Sequence, residues 1–311
     1  MSNMQAPLGR GFQGSDVRSV SDTVGGRSAT RWWFERLRSS PTGITGALIV
    51  AVFVATAVFA PVIATHDPNQ GNLMMRFQPP AWLQPEFTGH LLGTDQLGRD
   101  LFSRIIYGAR VSLIVGVATA AIAAFVGVIL GLLSGYLGGW PEIFIMRLVD
   151  AIIAIPNLLL YLTMIGVFGP SLVVLVLVLG LLGWTAYARV VRGEVLGIKE
   201  RDHVSAARAL GQSDLLIITR HVLPHAMASV VILGTLQIAT TIVTESGLSF
   251  LGLGVQPPTV TWGRMLADGR NYVATAWWIA TFPGVAISLA VLGFIFLGDW
   301  LRDVLDPRLR R

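Results

Sequence analysis

Six apolar blocks constrain this chain more than any other feature. They cover residues 44–64, 111–133, 148–167, 172–188, 226–244 and 276–298. A helix rises about 1.5 Å per residue, so about 20 apolar residues cross the roughly 30 Å hydrocarbon core of a bilayer. Five blocks carry no charge, and the third is interrupted by Asp150 and Pro156. With no water inside a bilayer to satisfy backbone groups, such blocks must be helices. The balance of 53% hydrophobic against 13% charged residues over 311 positions is too apolar for a soluble protein of this length. The expected fold is therefore an all-α integral membrane protein with six transmembrane helices.

The distribution of cations orients the spans. With the N-terminus in the cytoplasm, six spans return the C-terminus to the same side. The segments then inside hold 17 of the 23 Lys and Arg residues, against 6 outside. The positive-inside rule favours this arrangement over its inverse. The same distribution explains the net charge of +5 without nucleic acid, which is not an expected partner. Cysteine is absent, which excludes disulfides and thiolate metal sites. The first apolar run starts only after 43 residues, so it reads as a retained span rather than a cleaved signal peptide.

Residues 1–30 are rich in Gly, Ser and Arg and are expected to be a disordered cytoplasmic tail. Residues 31–108 follow as a juxtamembrane anchor, the first span and an external segment. The anchor, 31–38, combines Trp32, Trp33 and Phe34 with arginines, the composition of a helix lying among lipid headgroups. In the external segment, Leu101, Ile105 and Ile106 share one face of a short helix, leaving Arg99, Asp100 and Ser103 on the rest. Tyr107 to Arg110 then lead into the second span. Gly138-Gly139-Trp140-Pro141 makes a tight turn, Arg147 and Asp150 stand close enough on a helix to pair, and Pro156 bends the third span. That bend can be a hinge or a fixed feature.

The segment Ser205-Ala206-Ala207-Arg208-Ala209-Leu210-Gly211 lies in a basic connection between the fourth and fifth spans. Alanines keep a helix narrow enough to enter a groove, and Gly211 can take the left-handed conformation that ends it. After Leu223, Pro224 suits the first turn of the next helix. The pattern resembles the Glu-Ala-Ala loop by which permease subunits of ABC importers dock into their ATPases, with Ser205 in place of the glutamate. A plain alanine-rich surface helix is the alternative reading.

Further blocks carry the same resemblance. Gly93-Thr94-Asp95-Gln96-Leu97-Gly98-Arg99-Asp100, followed by Tyr107-Gly108-Ala109-Arg110, is similar to the start of the permease domain in dipeptide and oligopeptide ABC importers. Met146 to Asp150 with Ile155-Pro156, Arg220 to Pro224, Leu248 to Pro258 with Trp262-Gly263, and Leu297 to Arg308 continue the match in order. The nearest pattern is the "C" type of the two paired permeases, in the peptide and nickel branch. The resemblance implies a type I ABC importer permease fold over 109–303, a coupling loop at 195–224 and a cytoplasmic tail at 304–311. It also implies partners: a homologous second permease, two ABC ATPase subunits and an external solute-binding protein, all at the inner membrane among lipid. Ser205, Ala206, Ala207, Leu210, Gly211, Leu223 and Pro224 would couple to the ATPases. Glu245, Asp150 and Pro156 would lie on the translocation path or a gate. Asp95, Arg99, Asp100 and Trp262 would face the binding protein.

The chain is not expected to be an enzyme. A phosphate-cradling Gly-x-x-x-x-Gly-Lys-Ser/Thr loop needs a lysine, and the only one, Lys199, lies between Ile198 and Glu200. ATP and Mg would therefore bind in the partner ATPases, with no cofactor and no metal in this chain. His221 and His225 are four apart but have Pro224 between them and no third ligand. His203 reads as part of the docking surface. Glu245 is either functional or paired with Arg264 or Arg270. A secondary transporter would show more intramembrane charge, and an intramembrane enzyme would need a catalytic set at bilayer depth. Peptide is the substrate by resemblance, with nickel or another small solute left open.

Overall fold

The computed structural model describes residue 37, residues 40–84 and residues 89–305. The anchor at 31–38 (Leu37 aside), the tail at 1–30 and the last block from residue 306 onward lie outside the described residues. From Ser40 onward the described residues are mostly helical, and among them only two isolated β-bridges occur.

Helix α1, Pro41–Val58, starts at Ser40, whose hydroxyl accepts from the Gly43 amide, with Pro41 in the first turn where its missing N–H costs nothing. A single turn, α2 (Ala60–Ile63), leads into the loop-rich segment before α3, Leu101–Leu137. Asp100 caps α3 by accepting from the Ser103 amide at 2.8 Å, and Gly138, at φ +68°, ends it. The helix that the sequence suggested around Leu101, Ile105 and Ile106 forms the first turns of α3, a rod of 37 residues. No proline interrupts the join. Gly108 lies under the Trp262 indole, where a Cβ would come within 2.8 Å of the ring.

After Gly138 come α4 (Gly139–Ile153) and α5 (Asn157–Phe168), bent by 87° at the break around Pro156. Pro156 takes an extended ψ of 123° and lacks the N–H that would carry α4 onward. Asp150 in α4 pairs at 3.7 Å with Arg189, on the helix that follows α5, rather than with Arg147 on its own. Then follow α6 (Leu172–Ile198), the short α7 (Asp202–Ala209), α8 (Asp214–Ile217) and α9 (Leu223–Phe250). A π turn at Ile218–Val222 joins α8 to α9, so Pro224 takes the first turn of α9, as its sequence position suggests, within a continuous rod, Asp214–Phe250. A widened turn beside a residue with no backbone donor is a common way to keep a helix going. Finally α10 (Trp262–Gly269) precedes α11 (Trp278–Leu305).

Among the described residues, five helices are long and apolar enough to cross a membrane, and the bent α4–α5 pair makes up to six. Helix direction decides how to count that pair. Gly131 of α3 lies against Val191 of α6, where a Cβ would meet Val191 Cβ at 2.7 Å, and Gly135 lies against Val195 at 2.8 Å. Residue numbers rise together along this seam, so α3 and α6 are parallel. The chain between them must return to its starting side, and α4–α5 is the segment that does so. It is one broken span, not a re-entrant loop. By the same test α1 and α11 are antiparallel: Gly43 packs on Trp300, and Gly293 packs on Ile49. The six spans that the apolar blocks predict are thus all present.

Candidate coupling surface and translocation cavity

Helix α7 stands at the bundle end where α3 and α6 finish and α9 starts. Val204 and Ala207 are its buried residues, packed with Tyr136, Ile217 and Val222. Ser205, Ala206 and Leu210 point away, and Leu210 is 82% exposed. Burying residues three apart leaves the opposite face free. Gly211, at φ +78°, reverses the chain as its sequence position predicts, and the Gln212 amide returns to the Ala207 carbonyl at 3.2 Å.

The loop is tied to the spans at several points. The Tyr136 hydroxyl, at the end of α3, donates to Asp214 at 2.6 Å, and the Lys199 ammonium donates to the Gly135 carbonyl at 3.2 Å. The Arg208 guanidinium lies 5.9 Å from the Tyr136 ring centroid, and the interaction with Tyr136 raises its pKa. His203 stacks on His225 at 5.5 Å, and His221 exchanges a hydrogen bond with the Gln212 side chain at 3.2 Å. Leu223 is partly buried against the core beneath α7, while Pro224 is exposed.

A cavity of about 470 Å³ opens between α5, α6 and α9. Its polar lining comes from Asn157, Thr185, Gln237, Thr240, Thr241 and Thr244, set among Leu158, Tyr161 and Leu179. Asn157 reaches it because the chain breaks at Pro156 immediately before. These groups are uncharged amides and hydroxyls, which can donate and accept without the cost of an ion in the membrane. Sequence reasoning did not find them, since isolated Thr, Asn and Gln in apolar blocks carry no spacing signature. Asp150 stays on α4, largely exposed beside Arg189.

Glu245 is not among the cavity's lining residues. It sits inside α9, which runs five residues past it, and is buried. Its Oε1 accepts from the Ser249 hydroxyl at 2.8 Å and the Thr261 hydroxyl at 2.9 Å, and its Oε2 faces Gly263, where a Cβ would lie 2.9 Å away. Arg264 and Arg270, the partners considered from sequence, are engaged elsewhere. Arg264 pairs with Asp268 at 3.1 Å, and Arg270 donates to the Phe250 carbonyl at 3.1 Å. Thr261 also caps α10, so Glu245 ties α9 to α10.

At the other end of the bundle, Asp95 gathers the segment before α3. It accepts from the Leu97 and Arg99 amides at 2.8 and 3.0 Å, and from Arg99 Nε at 2.7 Å. Arg104, only 3% exposed, approaches Asp95 at 3.6 Å and Asp268 of α10 at 3.9 Å, and donates to the Pro68 carbonyl at 3.0 Å. Asp95, Asp100 and Trp262 are buried, and Trp262 donates to the Ile105 carbonyl at 2.9 Å. These residues hold the segment together from within rather than line its surface.

Comparison with known proteins places this architecture. The family model for the binding-protein-dependent transport system inner membrane component matches residues 127–311, and the N-terminal transmembrane domain of oligopeptide transport permease C matches residues 29–80. The chain belongs to that transport family. It is a multi-pass inner-membrane transport component. The di/tripeptide transport system permease protein DppC of Pseudomonas aeruginosa is 42% identical over 265 residues, covering 85% of this chain and 88% of the relative. The probable D,D-dipeptide transport system permease protein DdpC of Escherichia coli is 39% identical, covering 88% of this chain and 89% of the relative. The inward-facing MetNI methionine ABC transporter shares the fold, with a TM-score of 0.54 at 18% identity, over 66% of this chain and 98% of that one.

Proposed function

We propose that this chain is one of two homologous permeases in an ATP-driven importer of short peptides. The observation that carries the reading is α7: a small helix anchored by Val204 and Ala207 whose Ser205, Ala206 and Leu210 face outward at the bundle end joined to α3 and α9. Two partner ATPases, which would hold ATP and Mg, push on that face. An external solute-binding protein delivers cargo at the other end. The positive-inside count supports a cytoplasmic position for α7 and both termini. Relatives named for di- and tripeptide and D,D-dipeptide transport support a peptide cargo. The amide and hydroxyl lining of the cavity suits peptide backbone groups without selecting a side chain.

In this mechanism the bundle has two arrangements, inward-open and outward-open, and each partner biases the equilibrium between them. ATP closure of the ATPases moves α7, and Tyr136–Asp214 and Lys199–Gly135 carry that displacement into α3. Substrate released by the binding protein enters the space that Asn157, Gln237 and Thr241 line.

Uptake of labelled di- to hexapeptides, and separately of nickel ions, in a strain lacking this chain tests the reading. Peptide uptake that is lost and then restored by the gene is the expected result, and the lengths affected define the cargo. Loss of nickel uptake alone would overturn the peptide assignment while leaving the permease role.

A further inference from the structure

The five histidines of the chain form two clusters: His203, His221 and His225 beside α7, and His66 with His90 at the opposite end. Only the second pair converges on a buried carboxylate. His90 Nδ1 lies 3.0 Å from Asp100 Oδ1, and His66 Nδ1 lies 3.8 Å from Asp100 Oδ2. The two imidazole rings are tilted by 35° with centroids 4.6 Å apart. One ligand atom from each of the three residues falls within 4.8 Å of the others.

These separations have the scale of a coordination shell. Tetrahedral zinc with bonds of about 2.0–2.1 Å holds neighbouring ligand atoms about 3.4 Å apart. His90 at 3.0 Å from Oδ1 and His66 at 3.8 Å from Oδ2 straddle that value, one imidazole at each oxygen of the carboxylate. Asp100 is already fixed for such a role. Its Oδ2 accepts from the Ser103 amide at 2.8 Å and from the Thr65 hydroxyl at 3.4 Å, the outer hydrogen bonds that orient a metal-bound carboxylate. Thr65 Oγ1 also lies 2.9 Å from His66 Nδ1. His66, with 42% of its side chain exposed, leaves a path for ion entry and a position for water, while Asp100 is wholly buried.

We propose that His66, His90 and Asp100 form a zinc-class divalent cation site, against the sequence expectation of no metal. Two imidazoles and one carboxylate are a borderline donor set that suits zinc and its neighbours, and it offers too few oxygens for calcium or magnesium. The three residues come from three pieces of chain: the end of the first span, the loop before Gly93, and the cap of α3. A bound ion would clip them together and brace the face that the solute-binding protein approaches. Spread over 35 residues without a motif spacing, the set gives no signal in sequence.

The full chain in lipid nanodiscs, stripped with EDTA and titrated with zinc chloride against a fluorescent chelator, provides the test, with melting recorded with and without zinc. One zinc per chain is expected, together with a rise of several degrees in melting temperature. His66→Asn and His90→Asn should each weaken binding at least about tenfold and remove the rise. A chain with His203, His221 and His225 all replaced by Asn should retain both. His66 is exposed, so His66→Asn keeps the test decisive even if His90→Asn fails to fold. No zinc binding by the unaltered chain, or equal binding by His66→Asn, would overturn the proposal.

Discussion

Replacing Glu245 by alanine strips the Ser249 and Thr261 hydroxyls of a shared buried acceptor. Each buried polar group left unsatisfied costs about 1–3 kcal/mol, so Glu245→Ala should lower the melting temperature of the purified chain clearly. Glu245→Gln keeps an oxygen in the place of Oε1 and should stay close to the unaltered protein. Equal melting of all three would mean that the α9–α10 tie contributes nothing. The sequence singled out Glu245 because an acid at bilayer depth is costly, and set it on the translocation path or a gate, or beside Arg264 or Arg270; it is instead held by Ser249 and Thr261. Sequence reasoning missed the partners, because Thr261 lies 16 positions on, across a loop whose path no local pattern reveals. Asp95 and Arg99 show the same limit. They are legible as a motif, but the buried Arg104 and the half-buried Asp268 that complete the network come from separate elements.

At the scale of elements, Gly211 and Gly131 make opposite demands. A Cβ on Gly211 would meet nothing within 4 Å, so the only obstacle to a side chain there is the left-handed φ of +78°. Gly211→Val should therefore insert normally yet distort the end of α7. The expected outcome is ATP hydrolysis continuing in the assembled transporter while peptide uptake falls, and normal coupling between the two would contradict the docking role. Gly131 has an ordinary backbone but no room, with Val191 Cβ 2.7 Å from where its own Cβ would stand. Gly131→Val should force α3 and α6 apart at a cost of about 1–3 kcal/mol, read as a lower melting temperature. The left-handed glycine was legible because it follows an alanine-rich run. The seam was not, although Gly127, Gly131 and Gly135 recur every four residues as close helix contacts in membranes do. Spacing alone does not say which neighbour approaches, or in which direction it runs.

For the whole molecule, the absence of cysteine makes the topology directly measurable. Single cysteines at Leu210, Trp140, Met74 and Pro170 would all be exposed. A membrane-impermeant maleimide added outside intact cells should label Met74→Cys and Pro170→Cys, and should leave Leu210→Cys and Trp140→Cys unlabelled until the cells are opened. Trp140 and Pro170 reporting from the same side would refute the reading of α4–α5 as one crossing. The count of six spans was legible because hydrocarbon thickness fixes the length of an apolar block. The 87° bend was legible only as a kink, since proline fixes where a helix breaks but the packing of its neighbours sets the angle. The length of α3 carries a mechanical consequence. At about 1.5 Å per residue its 37 residues form a rod of roughly 55 Å, well beyond the thickness of the hydrocarbon core. Pivoted near its middle, such a rod tilting by about 10° swings each end by about 5 Å in opposite directions. Tyr136 grips the loop at one end and Asp100 anchors the other, so a nudge of a few ångströms from one compartment is delivered, reversed in direction, to the opposite one.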